Sequence, residues 1–513
     1  MRKIDREETL PIDGNSGDSI AGLGRLSNID HSEKLQIVGK FLVWFSLVGS
    51  AFLFAFSGTE GFIHNVDIAL FFLVIIGGMV YWRGMRGDYF HPLFVFNISA
   101  LVFFGIMPLA QRSGVFMEST VPAFHHTFLC NERFIPAAYS LLTIGIALFI
   151  LGYSSMATNR DNRHTVVLGA GVPAHPLPLI YLLSLGAFTA LLFTARGPSV
   201  MSIPGWSGIV SDVTNLALAM LVANLTVLLT SRYRFTWRLV SAVFSVMLAA
   251  VLVQIYFDNK IMMSFVFVLA ALYAIGLAGR RIRSPYLLAG LLVVVFVVFP
   301  VGFTGHPARP GSRSLDDVRQ LYRQNYRRNP MLPSVYYSVY RFSSSFNVLT
   351  DIIANEEDQR PIRPTARFDI FYSWLVSQIP TAIYPEKSRA HEGQELGAVF
   401  FGFTDETKEA PTWIGDLLWR FGYIGVLLGM PILGLITCLV YNYFMRFNKV
   451  RWEWNLAYFL FIVKLTRIEA WTSSYLSGIM RLIIYLLLIS VFVKSTAPGY
   501  HGKSLSGGTH AHG

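Results

Sequence analysis

Apolar residues run through this chain in stretches of about 20, and shorter polar stretches separate them. A helix of about 20 residues crosses the hydrocarbon core of a bilayer. Inside lipid every backbone polar group must be satisfied, so such stretches are expected to be helical. The pattern predicts an all-α integral membrane protein with about twelve transmembrane helices. The predicted spans are 37–57, 66–82, 91–110, 135–154, 178–195, 213–230, 238–257, 261–279, 286–304, 421–444, 454–468 and 476–493.

The Lys and Arg residues of the short connections predict how these helices are oriented. With the N-terminus in the cytoplasm, the cytoplasmic connections and the C-terminal tail hold about fifteen Lys and Arg residues. The short loops on the other side hold about four. Cytoplasmic loops of membrane proteins carry such an excess of positive charge. A multi-pass protein with both termini in the cytoplasm is therefore predicted.

One long polar segment interrupts the series of spans and divides the chain. It falls between the ninth and tenth predicted spans, on the extracytoplasmic side. Loops that a rigid scaffold positions commonly carry function, so this segment is the first place to look for a site. The predicted order is a disordered cytoplasmic tail (1–34), nine spans (35–304), a helical extracytoplasmic loop domain (305–420), three spans (421–494) and a second disordered cytoplasmic tail (495–513).

The composition narrows the class of function. Hydrophobic residues make up 53% of the 513 residues and charged residues 14%, about half the charged share of a soluble domain. The net charge of +11 is typical of cytoplasmic loops beside lipid head groups, so membrane lipids rather than nucleic acid are the expected partners. The two cysteines and the lack of metal-ligand spacings or phosphate-binding glycine loops in the sequence favour an activity without a metal or a cofactor.

The start of the loop domain predicts a helix that carries a row of arginines. Ser314 is a suitable N-cap, and the helix is expected to stop before Pro330. Arg319 and Arg323 are four residues apart and therefore share one face of this helix. A row of guanidinium groups suits a phosphate or a sugar phosphate. The alternative is a solvated face that contacts lipid head groups or water.

Basic residues also fall at the extracytoplasmic ends of the predicted spans. Lys260 lies in the hairpin between the seventh and eighth spans, Arg467 near the end of the eleventh, and Arg481 within the twelfth. An ionisable group within a span usually faces a cavity or a partner. These cations predict an anion-binding cavity in the outer leaflet. The alternative is ion pairing, for example of Glu469 with Arg467 or Arg481.

Four segments carry a resemblance to a family of bacterial membrane enzymes. They are FDNKIMMSFVFVL (257–269), YRFSSSFNVL (340–349), SQIPTAIYPEKS (377–388) and APTWIGDLLWRFGYIGVLLG (410–429). An Arg-Phe-Ser segment, a Pro-rich turn with Lys, and a carboxylate before a Phe-Gly-x-x-Gly return to the membrane resemble the Wzy-type polymerases of O-antigen and exopolysaccharide, and the related O-antigen ligases. The carboxylate here is Asp416, where the family more often has Glu.

The resemblance implies a metal-independent glycosyltransferase with a GT-C-like helical bundle. It would act as a repeat-unit polymerase at the outer face of the bacterial inner membrane. The donor would be a growing polysaccharide on undecaprenyl diphosphate, and the acceptor one lipid-linked repeat unit. A chain-length regulator is a possible partner.

Charge indicates which residues would serve such a reaction. The leaving lipid diphosphate gains negative charge as the glycosidic bond breaks, and fixed cations stabilise that charge. A general base should activate the acceptor hydroxyl, and His391 and Asp416 are the candidates. His391 could equally be a surface histidine, and Asp416 could simply pair with Arg420. The candidate diphosphate ligands are Lys260, Arg341 and Lys387, then Arg196, Arg319, Arg323, Arg467 and Arg481.

Two other functions remain open on the sequence. A ligase of the same fold would move a finished glycan onto another acceptor, and the loop histidines His306 and His391 keep that reading open. A polysaccharide transporter or flippase is the alternative from a different class. Transporters tend to bind substrate near the midplane on broken helices. The outward cluster of charges and the loop of about 115 residues favour the polymerase.

Overall fold

The computed structural model describes 17–56, 64–85, 89–106, 108–109, 132–157, eight residues between 218 and 229, 262–278, 332–358, 360–364, 367–368, 379, 392–401, 410–447 and 453–495. All regular secondary structure in these residues is helical. A π-helical turn, Leu101–Ile106, continues the third helix, and a 3-10 turn, Glu132–Phe134, leads into the fourth. The helices are α1 (Gly17–Phe56), α2 (His64–Gly84), α3 (Pro92–Ala100), α4 (Ile135–Met156), α5 (Met262–Leu277), α6 (Leu332–Glu357), α7 (Glu392–Phe401), α8 (Thr412–Phe447), α9 (Glu453–Leu465) and α10 (Thr472–Ser495).

Four stretches of helix are long and apolar enough to cross a membrane. They are His31–Ala55, Asn65–Gly84, Glu132–Met156 and Thr412–Met445. The first of them leaves large apolar side chains uncovered by protein, such as Phe41 at 65% and Phe52 at 60% exposure. Lipid is the solvent that such a face requires. The prediction of an all-helical integral membrane protein is therefore confirmed.

The predicted number of spans reaches beyond the described residues. The segments 178–195, 238–257 and 286–304 lie outside them, as does part of 213–230. The count of twelve, the orientation and the GT-C-like arrangement of the bundle therefore stay predictions. The predicted third span appears as α3 followed by the π-helical turn, and the eleventh and twelfth as α9 and α10.

The helices α1 and α2 form an antiparallel pair at the start of the bundle. At one end, Gln36 donates from Nε2 to the carbonyl oxygen of Gly84 at 3.1 Å, and Ser32 donates to the same oxygen. One turn further along α1, the ammonium of Lys40 lies 5.4 Å from the ring centroid of Tyr81. These contacts cover the end of α2 whose carbonyl groups have no partner within the helix.

The helices α4 and α8 pack with their backbones nearly touching. A Cβ atom on Gly152 would lie 2.1 Å from the carbonyl oxygen of Pro431, and one on Gly434 would lie 2.1 Å from that of Phe149. Small residues permit this close approach between transmembrane helices. Phe149 also stacks on Phe96 of α3, with ring centroids 3.8 Å apart. The centre of the bundle is thus built from α3, α4 and α8.

The chain of α8 reverses direction at Gly422, where φ is +68° and ψ is −164°. A Cβ on Gly425 would lie 2.4 Å from the carbonyl oxygen of Leu417, and one on Gly429 would lie 2.7 Å from the Leu417 side chain. At 1.5 Å per residue, a continuous helix would separate these positions by about 12 and 18 Å. Residues 412–421 are therefore a short helix that folds back on 423–447, and we call them the re-entrant helix.

The reversal lies next to the predicted boundary between the loop domain and the tenth span. The sequence pattern placed residues up to 420 in that domain and began the tenth span at 421. The structure instead packs the re-entrant helix into the bundle, where Trp413, Trp419 and Arg420 are almost completely buried. The longer arm of the hairpin, 423–447, is by itself long enough to cross a membrane.

The helices α9 and α10 form a second hairpin with a non-helical tip. The side chain of Lys464 packs against Gly478, whose Cβ would lie 3.0 Å from it, so the two helices run side by side. Between them, residues 466–471 form turns, and we call this segment the 466–471 turn. Its backbone meets the start of the re-entrant helix.

Candidate functional site

Two non-helical stretches of backbone meet where the re-entrant helix begins. The N–H of Thr412 donates to the carbonyl oxygen of Glu469 at 3.2 Å, and the N–H of Trp413 donates to that of Ile468 at 3.1 Å. Thr412, Trp413 and Glu469 are buried. Irregular backbone at membrane depth is tolerated only where protein buries it or where it lines a cavity. This junction, made by the re-entrant helix and the 466–471 turn, is the candidate site.

Thr412 starts the re-entrant helix in a strained conformation. Its φ of +72° lies in the left-handed region, which a β-branched residue rarely adopts. Its hydroxyl accepts a hydrogen bond from the N–H of Gly415 at 3.0 Å and so caps the first turn. Backbone strain of this kind costs about 1–3 kcal/mol and clusters at functional sites.

Asp416 connects the two halves of the junction. It is fully buried, and its Oδ1 accepts a hydrogen bond from Nε of Arg420 at 2.7 Å. Its Oδ2 accepts a hydrogen bond from the backbone N–H of Thr472 at 2.9 Å, at the first residue of α10. A carboxylate at a helix N-terminus is stabilised by the helix dipole. The predicted catalytic carboxylate is thus held from two sides.

Arg420 is a buried cation next to aromatic rings. Only 1% of its surface is exposed, and its guanidinium carbon lies 5.7 Å from the ring centroid of Trp471. The ring of Trp471 is also 6.0 Å from that of Trp419. Cation–π contacts and the ion pair with Asp416 together offset the cost of burying the charge.

Arg467 lies on the exposed side of the same turn. It is 45% exposed, and its Nε is 3.7 Å from Oε1 of Glu469, whose side chain is 3% exposed. Arg481 is half-buried in α10. The ion pair that the sequence offered as an alternative for Arg467 therefore exists, but it is long and leaves the guanidinium accessible to an anion.

The other end of the junction is apolar. The ring of Trp413 lies 4.4 Å from that of Tyr475, and the hydroxyl of Tyr475 is 2.7 Å from that of Thr437. A small apolar cavity lies beside Trp413 and is also lined by Phe104 of the π-helical turn. π-Helical turns are frequent at functional sites. The junction therefore combines an apolar side, next to Trp413, with polar contacts at Asp416, Arg420 and Glu469.

Titratable groups on α6 approach the re-entrant helix from the loop domain. Burial raises the pKa of Asp351 to about 7. Burial also raises the pKa of Glu356, and the hydrogen bond and charge of Arg363 oppose that rise. Perturbed carboxyl groups are common near functional sites, although ion pairs in purely structural networks also perturb them.

The structure describes only some of the predicted site residues. Asp416, Arg467 and Arg481 are described, and the first two belong to the junction. Arg341 lies in α6, with only its backbone described. The residues His391, Lys260, Lys387, Arg196, Arg319 and Arg323 lie outside the described residues. The roles predicted for all of them stay predictions.

Three residues of this region were not among the sequence candidates. Arg420 could have been recognised in the sequence, because it follows Asp416 by four residues, the spacing of a helical ion pair. It also directly precedes the Phe-Gly-x-x-Gly segment. Arg363 contacts the re-entrant helix from the loop domain, and Glu356 holds the guanidinium of Arg363. Glu356 and Arg363 are seven residues apart, which would place them on one face of a helix. Arg363 lies beyond the end of α6, however, so helical spacing does not predict their contact. Only the tertiary contact identifies them.

The arrangement suits an anionic group that approaches from the membrane surface. Arg467 belongs to the 466–471 turn and is exposed, and the buried Arg420 contacts the same turn through Trp471. Guanidinium groups bind phosphate oxygens in a bidentate geometry.

In comparisons with known proteins, the chain matches no family, no curated protein and no solved structure.

Proposed function

We propose that this protein is a polysaccharide polymerase that transfers a growing glycan from undecaprenyl diphosphate onto a lipid-linked repeat unit. The observation that supports it best is the exposed guanidinium of Arg467 in the 466–471 turn, with the buried Arg420 packed behind Trp471 of the same turn. On the predicted orientation, this turn lies at the outer leaflet. The diphosphate of a lipid carrier in that leaflet would lie at a similar depth.

The proposed reaction is a glycosyl transfer. The bond between the sugar C1 and the diphosphate breaks, and the acceptor hydroxyl forms the new glycosidic bond. The hydroxyl proton passes to a general base, for which His391 and Asp416 are the candidates. The diphosphate leaves with the bonding electron pair, and the nearby cations stabilise its charge.

The present hydrogen bonds of Asp416 limit its role as a base. Both of its oxygens already accept a hydrogen bond, from Arg420 and from Thr472. Each carboxylate oxygen keeps a further lone pair, so an acceptor hydroxyl can still bind there. This geometry makes His391 the stronger proposal for the base and Asp416 the stronger for orienting Arg420.

A transporter or flippase of lipid-linked glycan is the second candidate, and one observation favours it. The re-entrant helix and the broken α9–α10 hairpin place non-helical backbone inside the bundle. Discontinuous helices of this kind bind substrates in many transporters. A glycan ligase with the same diphosphate-linked donor would need the same cations as the polymerase.

One experiment separates these functions. Lipid-linked glycan is extracted from cells that lack the protein and from cells complemented with wild type or with Lys260→Ala, Arg341→Ala or His391→Ala. The polymerase predicts single repeat units without the protein and a ladder of lengths with it. Long chains that persist on the carrier without the protein would identify the ligase. A complete lack of repeat units on the outer face would identify the transporter.

A further inference from the structure

One arginine of the loop domain reaches the end of the re-entrant helix. The guanidinium of Arg363 donates from Nη1 to the carbonyl oxygens of Leu418 at 3.0 Å and Trp419 at 3.1 Å. Both carbonyl groups belong to the last turn before Gly422. The last carbonyl groups of a helix have no partner within it, so Arg363 supplies the missing cap from a different segment.

A carboxylate on α6 holds this guanidinium in place. Nη2 of Arg363 donates to Oε2 of Glu356 at 2.8 Å, and Nη1 donates to its other oxygen. The side chains are 17% and 4% exposed, so water competes little with the pair. Bidentate pairs of arginine and carboxylate are geometrically specific. One guanidinium thus joins α6 to the re-entrant helix.

Three further contacts connect α6, the segment that carries Arg363 and the two arms of the hairpin at Gly422. Nε1 of Trp419 donates to the carbonyl oxygen of Ile362 at 3.1 Å, and the hydroxyl of Tyr423 donates to Glu357 at 3.2 Å. The side chain of Asn355 both donates to and accepts from the backbone of Ile362, at 2.9 and 2.8 Å. The segment that carries Arg363 is therefore tied to α6 and to the re-entrant helix at once.

The same helix carries the polar half of the candidate site. Asp416 and Arg420 lie within the ten residues between Thr412 and the reversal at Gly422. Leu418 and Trp419, which Arg363 caps, immediately precede Arg420. A shift of this last turn would move the guanidinium of Arg420 relative to Trp471 and the 466–471 turn.

We propose that Arg363, held by Glu356, is a positioning residue that caps the re-entrant helix and sets the place of Arg420 in the site. The loop domain would then control the geometry of the site without touching the substrate there. The consequence for catalysis rests on the proposed function, whereas the cap itself does not. Arginine is required because one planar fork serves two carbonyl groups and a carboxylate, which an ammonium group cannot do in that geometry.

Hydrogen exchange on the purified full-length protein in lipid nanodiscs tests the cap directly. We expect Arg363→Ala to raise the exchange rates of amides in 416–421 at least tenfold and to leave those in 476–482 of α10 unchanged. Arg360→Ala is the matched control, since Arg360 is an exposed arginine on the same segment. Unchanged exchange in 416–421 of folded Arg363→Ala protein would overturn the proposal.

A charge reversal distinguishes a cap from a simple ion pair. The double variant Arg363→Glu, Glu356→Arg keeps opposite charges at the two positions but places a carboxylate next to the carbonyl groups. We expect it not to restore slow exchange in 416–421, and we expect Arg363→Lys to restore it in part. Full restoration by the reversed pair would show that only the ion pair matters. If Arg363→Ala does not fold, hydrogen exchange in 416–421 of Arg363→Lys tests the cap in its place.

Kinetics with a lipid-diphosphate-linked repeat unit then connect the cap to the reaction. Misplacement of a group by about 1 Å can lower a rate about 100-fold. We expect Arg363→Lys to lower kcat by a factor approaching that size, with KM changed less than threefold. An unchanged kcat with altered exchange would remove the positioning role and leave a structural cap. A wild-type protein without polymerase activity would reject the proposed function, while the exchange data would still decide the cap.

Discussion

The carboxylate of Asp416 accepts a hydrogen bond from the backbone N–H of Thr472 at 2.9 Å, 56 residues further along the chain. Its other oxygen accepts from Arg420 at 2.7 Å. One buried side chain therefore joins the re-entrant helix to the first turn of α10. The bond also explains how a helix can start inside the bundle, since its first N–H groups need acceptors there.

Removal of either member of the buried ion pair should destabilise the protein strongly. A remaining buried charge without its partner typically costs about 3–5 kcal/mol. We expect Asp416→Ala and Arg420→Ala to lower the thermal unfolding temperature in detergent, Asp416→Ala more, because it also removes the cap of α10. Equal stability of Asp416→Ala and wild type would contradict the observed bonding.

A double variant separates the structural role of this pair from a chemical one. Replacement of a buried ion pair by apolar residues of similar volume is often neutral or stabilising. We expect Asp416→Leu, Arg420→Met to unfold at a higher temperature than either alanine variant and still to produce no glycan ladder. A full ladder from this double variant would show that neither charge takes part in the reaction.

Arg467 should matter for activity and little for stability. Its ion pair with Glu469 is 3.7 Å long and its side chain is 45% exposed. Exposed ion pairs contribute about 0–1 kcal/mol to the free energy of unfolding. We expect Arg467→Gln to leave the unfolding temperature within a few degrees of wild type, and to raise KM for the lipid-linked donor at least tenfold.

The matched control for Arg467 is Arg133→Gln. Arg133 is also exposed, but it belongs to the 3-10 turn before α4, where its guanidinium lies over the ring of Phe134 at 5.5 Å. A general loss of positive surface charge would affect donor binding in both variants equally. An equal rise of KM in both would therefore argue against a specific diphosphate contact at Arg467.

The sequence predicts the long helices well and the re-entrant helix poorly. The expected spans 66–82 and 135–154 agree with the observed α2 and α4, because each is an almost wholly apolar run. The span 37–57 falls within α1, but α1 begins 20 residues earlier, at Gly17, inside the predicted disordered tail. Residues 412–421 are too short for a span and contain two charges, so they resemble the end of a polar loop. Pattern alone cannot tell a helix that enters the bundle from one that stops at its surface.

The candidate site was predictable only in part for a related reason. Arg467 follows from a local rule on charges near membrane spans, and Asp416 from the resemblance to the Wzy-type polymerases. The cap by Arg363 depends on contacts with residues 55 and 56 positions further along the chain. Such a contact is set by the packing of α6 on the re-entrant helix, and a single sequence does not encode it in any local spacing.

Gly422 should be irreplaceable at the reversal. Its combination of φ +68° and ψ −164° belongs to a region that essentially only glycine adopts, and other residues pay about 1–3 kcal/mol there. A Cβ would meet Glu356 and Arg363 at ordinary distances of 3.5 and 3.6 Å, so backbone strain rather than a clash sets the effect. We expect Gly422→Ala to lower the unfolding temperature and raise hydrogen exchange in 416–421.

Gly415→Ala provides the comparison within the same helix. A Cβ there would lie 3.3 Å from Ile352, a tight contact, but the backbone of Gly415 is helical. Alanine favours a helix over glycine by about 1 kcal/mol, which offsets the tight contact. A loss of stability in Gly415→Ala as large as in Gly422→Ala would mean that crowding, not the positive φ, makes this hairpin sensitive.

Asp351 should make the stability of the loop domain depend on pH. Burial raises the pKa of this carboxyl to about 7 in the folded protein, from an ordinary value of 3.8. The folded state therefore holds the proton more tightly than the unfolded chain. Stability from this group is present in full below about pH 4 and is lost as pH rises toward 7, by at most about 1.4 kcal/mol per pH unit.

Asp351→Asn tests the sign of this effect, because an amide cannot ionise. We expect the variant to unfold at a higher temperature than wild type at pH 8 and at nearly the same temperature below about pH 4, measured in the same detergent. Some pH dependence should remain, because burial also raises the pKa of Glu356. Asp358→Asn is the control, since Asp358 is an exposed carboxyl just beyond α6. A variant of Asp351 that loses stability equally at both pH values would show that this side chain acts as a hydrogen-bond acceptor rather than as a buried acid.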